Sequence, residues 1–186
     1  MLTSMELTSI SNLFLERDRE LRKLIGNMPY EKVKTDEAFE KSLSDLEERL
    51  LLVPVSIGEP AILSHRTEER TAGANYNNPW GGAHTVTIVR VAFPCSGSPE
   101  LFRYRGSDAL TNGTIYTPSG NSLQVDVTVS KLDKTEVIAK ATEEIRITRQ
   151  LITMNNSDAS LWSVAMKLKI KMALEAKREE LKGFYA

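Results

Sequence analysis

The sequence predicts an α+β fold: an antiparallel β-meander of about four to six strands over residues 51–130, set between two N-terminal helices and a long, possibly broken, C-terminal helical segment. Three observations predict it. Before Leu51, apolar residues recur at three- and four-residue steps, the period of a half-buried helix. Between Leu51 and Ser130 the period falls to two, and Pro, Gly and Asn cut the chain into short runs, which favours antiparallel neighbours. From Leu132 to Leu181 the helical period returns.

Length and composition bound the rest. A chain of 186 residues, 41% hydrophobic and 26% charged, can build a core and suits one domain. That domain divides into a helical part (1–50), an antiparallel sheet with a long loop at 67–83 (51–131), and a second helical part (132–182). A net charge of −1 argues against a protein-wide basic field for nucleic acid. The single cysteine, Cys95, excludes an internal disulfide and a zinc-type cluster. Glu6, Glu16, Arg17 and Asp18 interrupt any apolar run near the N-terminus, so a signal peptide is not expected. No stretch reaches the ~20 apolar residues of a membrane span. A soluble, cytoplasmic protein is the expectation.

Residues 5–25 read as an amphipathic helix, with Leu7, Ile10, Phe14, Leu21 and Leu24 on one side. Gly26, Asn27 and Pro29 stop it. Thr35 or Asp36 caps a second helix striped by Phe39, Leu43, Leu46 and Leu50. Leu51–Val55 reads as an edge strand because it contains Pro54. Ala61–Arg66 is a weaker strand, and Thr67–Ala83 is a long loop rich in Gly, Asn and Thr. His84–Phe93 is the central strand by composition. Leu101–Arg105 alternates, and Thr114–Thr117 is short. Pro118-Ser119-Gly120-Asn121 is a tight turn. Ser122–Ser130 turns Leu123, Val125, Val127 and Val129 to one face, so it is a strand buried on one side.

Asp133 with Glu136 forms a capping box, and Leu132 with Val137 supplies the residues of a hydrophobic staple. A continuous helix from there to Leu181 is about 70 Å long. The alternative breaks it at Asn155-Asn156-Ser157-Asp158, four poor helix formers. Beyond that point apolar residues fill more than one face, and Lys167, Lys169 and Lys171 are scattered. Residues 159–181 are therefore expected to be covered on two sides, by the N-terminal helices, the sheet or a second subunit. Without one clean basic face, a membrane-surface helix is the lesser reading.

The chemistry-bearing residues are sparse. His65 and His84 have no trusted ligand spacing to Glu68 or Glu69, so neither a metal nor a cofactor is expected. Cys95 and His84 occupy opposite ends of one strand, roughly 30 Å apart over its length, which excludes a thiol–imidazole pair. Gly81-Gly82 lacks the lysine and hydroxyl of a phosphate loop. Tyr76, Asn77, Asn78 and Trp80 in the long loop suit a contact surface; Trp80 folding back onto the sheet is the plainer alternative. If strand 101–105 pairs with strand 84–93, Arg90, Arg103 and Arg105 converge on an anion. Salt bridging to Asp126, Asp108 or helix carboxylates is the plainer alternative.

The expected function is a non-enzymatic interaction or assembly module that oligomerises or binds a protein partner through its helices. An anionic-ligand or nucleic-acid site at the arginines is the second reading. A small hydrolase-like enzyme, with Glu68, Glu69 or Asp126 near His84, is the third.

Overall fold

A computed structural model describes residues 2–3, 7–72, 82–106 and 113–185. In chain order the elements are β1 (Leu2–Thr3), β2 (Thr8–Ser9), α1 (Ile10–Gly26), α2 (Asp36–Leu50), β3 (Ser56–Ile57), β4 (Ala61–Ala72), β5 (Gly82–Ser96), β6 (Tyr104–Arg105), β7 (Thr114–Ile115), β8 (Ser122–Val129), α3 (Lys134–Glu144) and α4 (Arg146–Tyr185). The fold is α+β, with an antiparallel sheet between two N-terminal helices and a long C-terminal helix. Among the described residues no helix is long and apolar enough to cross a membrane.

The chain forms two compact units, each assembled from three separate stretches. The first comprises Met1–Glu6, Val55–Phe102 and Thr111–Ile152. The second comprises Leu7–Pro54, Arg103–Leu110 and Thr153–Ala186.

β5 is the spine of the first unit. It pairs antiparallel with β4 from Ala61↔Ala92 to Ala72↔Gly82, and with β8 from Thr87↔Val129 to Pro94↔Ser122. Val89, Val91 and Phe93 are buried on one face of β5; on the other, Ile88 and Ala92 are buried while Arg90 between them is exposed. β8 alternates as expected: Leu123, Val125, Val127 and Val129 are buried and the residues between them are exposed. α3 packs on β8 and β5, with Val137 and Ala141 fully buried. Its N-cap is Asp133, whose Oδ1 accepts from the Glu136 amide at 2.8 Å. The neighbouring Leu132 stays 57% exposed. Before β8, Gly120 has φ +60°, the left-handed conformation its turn requires.

In the second unit α1, α2 and α4 from Thr153 onward share one core. Leu21, Val33, Phe39, Leu46, Leu50, Met166, Ile170 and Leu174 are buried together. Ion pairs fix the helix directions. α2 runs antiparallel to α4, through Asp36–Arg178 at 2.7 Å and Glu47–Lys167 at 3.9 Å. α1 runs parallel to α4, through the stacked Phe14–Trp162 rings and Asp18–Lys169 at 2.5 Å.

Several boundaries differ from the sequence reading. α1 begins at Ile10, because Thr8 and Ser9 pair with β6 and the Ser9 hydroxyl then caps the helix. Thr35, not Asp36, caps α2. Leu51–Val55 forms no strand; the strand is Ser56–Ile57, beyond Pro54. β4 continues to Ala72 and β5 starts at Gly82, so much of the expected 67–83 loop is a hairpin ladder. Leu101–Arg105 is not a strand of the sheet. Pro99–Arg103 forms a 3-10 turn, and only Tyr104 and Arg105 are extended, pairing parallel with β2.

The C-terminal helical segment breaks at Ile145, with α4 continuous through Asn155–Asp158. α4 is 40 residues long, about 60 Å. Asn155 is fully buried, and its Nδ2 donates to the Tyr104 carbonyl at 2.8 Å. Asn and Asp weaken a helix chiefly by offering the backbone alternative bonds. Here the Asn155 amide is engaged by a distant strand instead. Gly106 lies so close that a Cβ there would sit 2.9 Å from Asp158 Oδ2 and 3.3 Å from Asn155 Oδ1.

Candidate functional site

Two solvent-facing surfaces carry enough organisation to be candidates. The first is the open face of the β4–β5–β8 sheet. Arg90 on β5 stands directly opposite Asp126 on β8. Its Nε and Nη2 donate to the two carboxylate oxygens at 2.8 and 2.9 Å, the bidentate geometry that suits a guanidinium. Arg66 on β4 reaches the same carboxylate at 3.5 Å and Glu68 at 2.9 Å, and Arg70 stands 3.9 Å from Glu68. The hydrogen bond from Arg90 holds the Asp126 carboxyl below the usual carboxylate range, and the same bond raises Arg90 above the usual arginine value. These arginines therefore already have carboxylates for partners.

The strand pairing assumed for the expected cluster is not made. Arg90 takes the plainer of its two expected roles, a salt bridge to Asp126. Arg103 ends the 3-10 turn and Arg105 pairs with β2, whereas β5 bonds β3, β4 and β8. The sheet thus does not supply the convergence of Arg90, Arg103 and Arg105. Arg66 and Arg70 escaped the sequence reading because their segment read as a strand end and a loop. Period-two alternation of Arg66, Glu68 and Arg70 was the available signal. Tyr76, Asn77, Asn78 and Trp80 lie outside the described residues.

His84 pairs through its backbone with Arg70, while Glu68 is engaged by Arg66 and Arg70, and Asp126 by Arg90. Among the described residues no group of three His, Cys, Asp or Glu side chains is placed to hold a metal ion. Burial pushes the Cys95 thiol above its ordinary value, the opposite of an activated nucleophile. Its Sγ donates to the Phe93 carbonyl at 3.4 Å. The Tyr116 hydroxyl is also raised, first by burial and then by its hydrogen bond to Glu144, so it stays protonated.

The second surface is the outer face of α4. Met166, Ile170 and Leu174 face the core of their unit and are at most 1% exposed. Opposite them, Leu161 and Val164 are each 73% exposed, Leu168 is 62% exposed and Met172 is 59% exposed. Their steps of three, four and four residues align them on one helix face. This is the second side of residues 159–181. The chain covers the first side and leaves this one in solvent. The sequence reading noticed the excess of apolar residues there but not which four formed the open stripe.

Comparisons with family models, with curated proteins and with solved structures found no match.

Proposed function

We propose that this chain is a non-enzymatic assembly module that docks a partner helix on the outer face of α4. The single observation that supports this reading is the stripe of Leu161, Val164, Leu168 and Met172. Isolated exposed apolar residues are ordinary on protein surfaces, but a contiguous row on one helix face marks an interaction site. A helix laid along such a row reads it through positions three and four apart. The opposite face of the same helix is fully engaged with α1 and α2, so the stripe is not a spare part of the core.

The rival readings have weaker support. An anion site on the sheet must displace Asp126 from Arg90 and Glu68 from Arg66. An enzyme near His84 that uses Glu68 or Asp126 must draw them out of existing ion pairs.

Hydroxyl-radical footprinting tests the proposal. Leu161, Leu168 and Met172 should be modified readily in dilute protein. They should become protected either in concentrated protein or in an extract of the cells that make it. Full modification under both conditions overturns the reading.

A further inference from the structure

We infer that the occupant of the α4 outer face is the same face of a second copy, laid antiparallel. This rests on the docking role proposed above and adds the identity and direction of the partner.

The layout of the face carries the inference. At 3.6 residues per turn, Leu161, Leu168 and Met172 fall on one line along α4. The exposed Ala165 and Ala176 border that line on one side. Val164, Lys171 and Glu175 border it on the other, with Lys167 just beyond. This second border is charged in sequence order: Lys167 and Lys171 come first and Glu175 follows. Among the described residues, Lys171 and Glu175 take part in no ion pair, and Lys167 has only the long 3.9 Å contact to Glu47.

A two-fold axis crossing the helices keeps each border on its own side and reverses its order. Aligning two copies at the Leu168–Met172 turn then sets Leu168 of each against Met172 of the other. Glu175 of each copy meets the Lys167–Lys171 turn of the other, twice over by symmetry. A two-fold axis along the helices does the reverse. It sets this border against the opposite one, where Lys171 meets Lys169, a lysine already engaged by Asp18 at 2.5 Å. Unlike charges across an interface favour their own arrangement, and like charges select against the other. The antiparallel arrangement alone brings Glu175 against this lysine turn, giving two unlike contacts per dimer against the single approach of Lys171 to Lys171 of the other copy.

Charge swapping with sedimentation velocity tests this on the full chain. The unmodified protein should dimerise reversibly in the micromolar range. Glu175→Lys alone, or Lys167→Glu with Lys171→Glu, should each weaken self-association by about tenfold, because two pairs are lost per dimer. An equimolar mixture of these two variants should recover it. Circular dichroism should show each variant folded as the parent. Direction is read in a Cys95→Ser background: Leu168→Cys mixed with Met172→Cys should give mostly the mixed disulfide under mild oxidation.

A preference for like-with-like disulfides overturns the antiparallel arrangement. A monomer at every concentration overturns the second copy as occupant. If the face is nevertheless protected in cell extract, the docking role survives with a different partner. If it is unprotected there too, both fail.

Discussion

The open face of the sheet and the outer face of α4 are both in solvent, and they solve that exposure in opposite ways. On the sheet, Arg66 and Arg90 close on Asp126, and Glu68 takes Arg66 and Arg70. Each of these charges is matched by a neighbour on its own strand or one or two strands away, so this set is satisfied within the chain. On α4, Leu161, Val164, Leu168 and Met172 have no such cover, while Glu175 and Lys171 flank them without ion pairs among the described residues. The contrast teaches that exposure alone does not nominate a site. What matters is whether the exposed groups are satisfied where they stand.

The largest effects should come from the inward side of α4, as the reference for its outward side. Ile170→Ala should cost about 2–5 kcal/mol in urea unfolding, because a buried side chain is lost and a cavity left. Leu168→Ala, two residues earlier on the opposite side, should change the stability of dilute protein by no more than about 0.5 kcal/mol. An equal loss at both positions would show that the outer face is part of a core after all.

A smaller effect, about 1–3 kcal/mol, is expected for Gly106→Ala, whose new methyl must push Asp158 and Asn155 aside. Thermal unfolding should shift downward. An unchanged midpoint would mean that the polar stretch of α4 is not held by this close approach.

The sheet face should yield the smallest numbers. A double-mutant cycle on Arg90→Ala and Asp126→Ala should give a coupling of about 0.2–1 kcal/mol that shrinks with added salt, since the two side chains are 45% and 33% exposed. The pH dependence has a definite sign. The folded-state pKa of Asp126 is depressed, so its stabilisation is present above the unfolded value near ~4 and is lost as pH falls through the lower folded value. Asp126→Asn should flatten the acid limb of the stability profile by under about 1 kcal/mol. A coupling well above that range would mark the sheet face as tightly organised and weaken its contrast with α4.

Much of the fold was legible because local rules and tertiary packing agreed. The alternation of β8, the Asp133 cap and the stripe of α2 each state in sequence what they do in structure. Legibility failed where a distant segment overrode local propensity. Asn155–Asp158 reads as a helix end, but the Tyr104 carbonyl engages Asn155 and α4 continues. Leu101–Arg105 alternates like a strand, but Leu101 and Phe102 are buried in a 3-10 turn. The strand pairing on which the expected arginine convergence was conditioned is likewise absent, because Tyr104 and Arg105 pair with β2 instead. The apolar excess of residues 159–181 was legible, whereas its division into a packed side and an open side needed the positions of α1 and α2.

The interleaving of the two units also sets when each can form during synthesis. α1 and α2 leave the ribosome early, yet the helix that completes their core begins at Thr153. Roughly 100 residues, made at about 5–20 per second, separate the two events. For some seconds Leu21, Phe39, Leu46 and Leu50 wait as a helical pair without its third member. β5 and β8, by contrast, meet α3 within a short stretch of chain. The sheet unit is therefore expected to fold first, and the helical unit to close only when the last third of α4 has emerged.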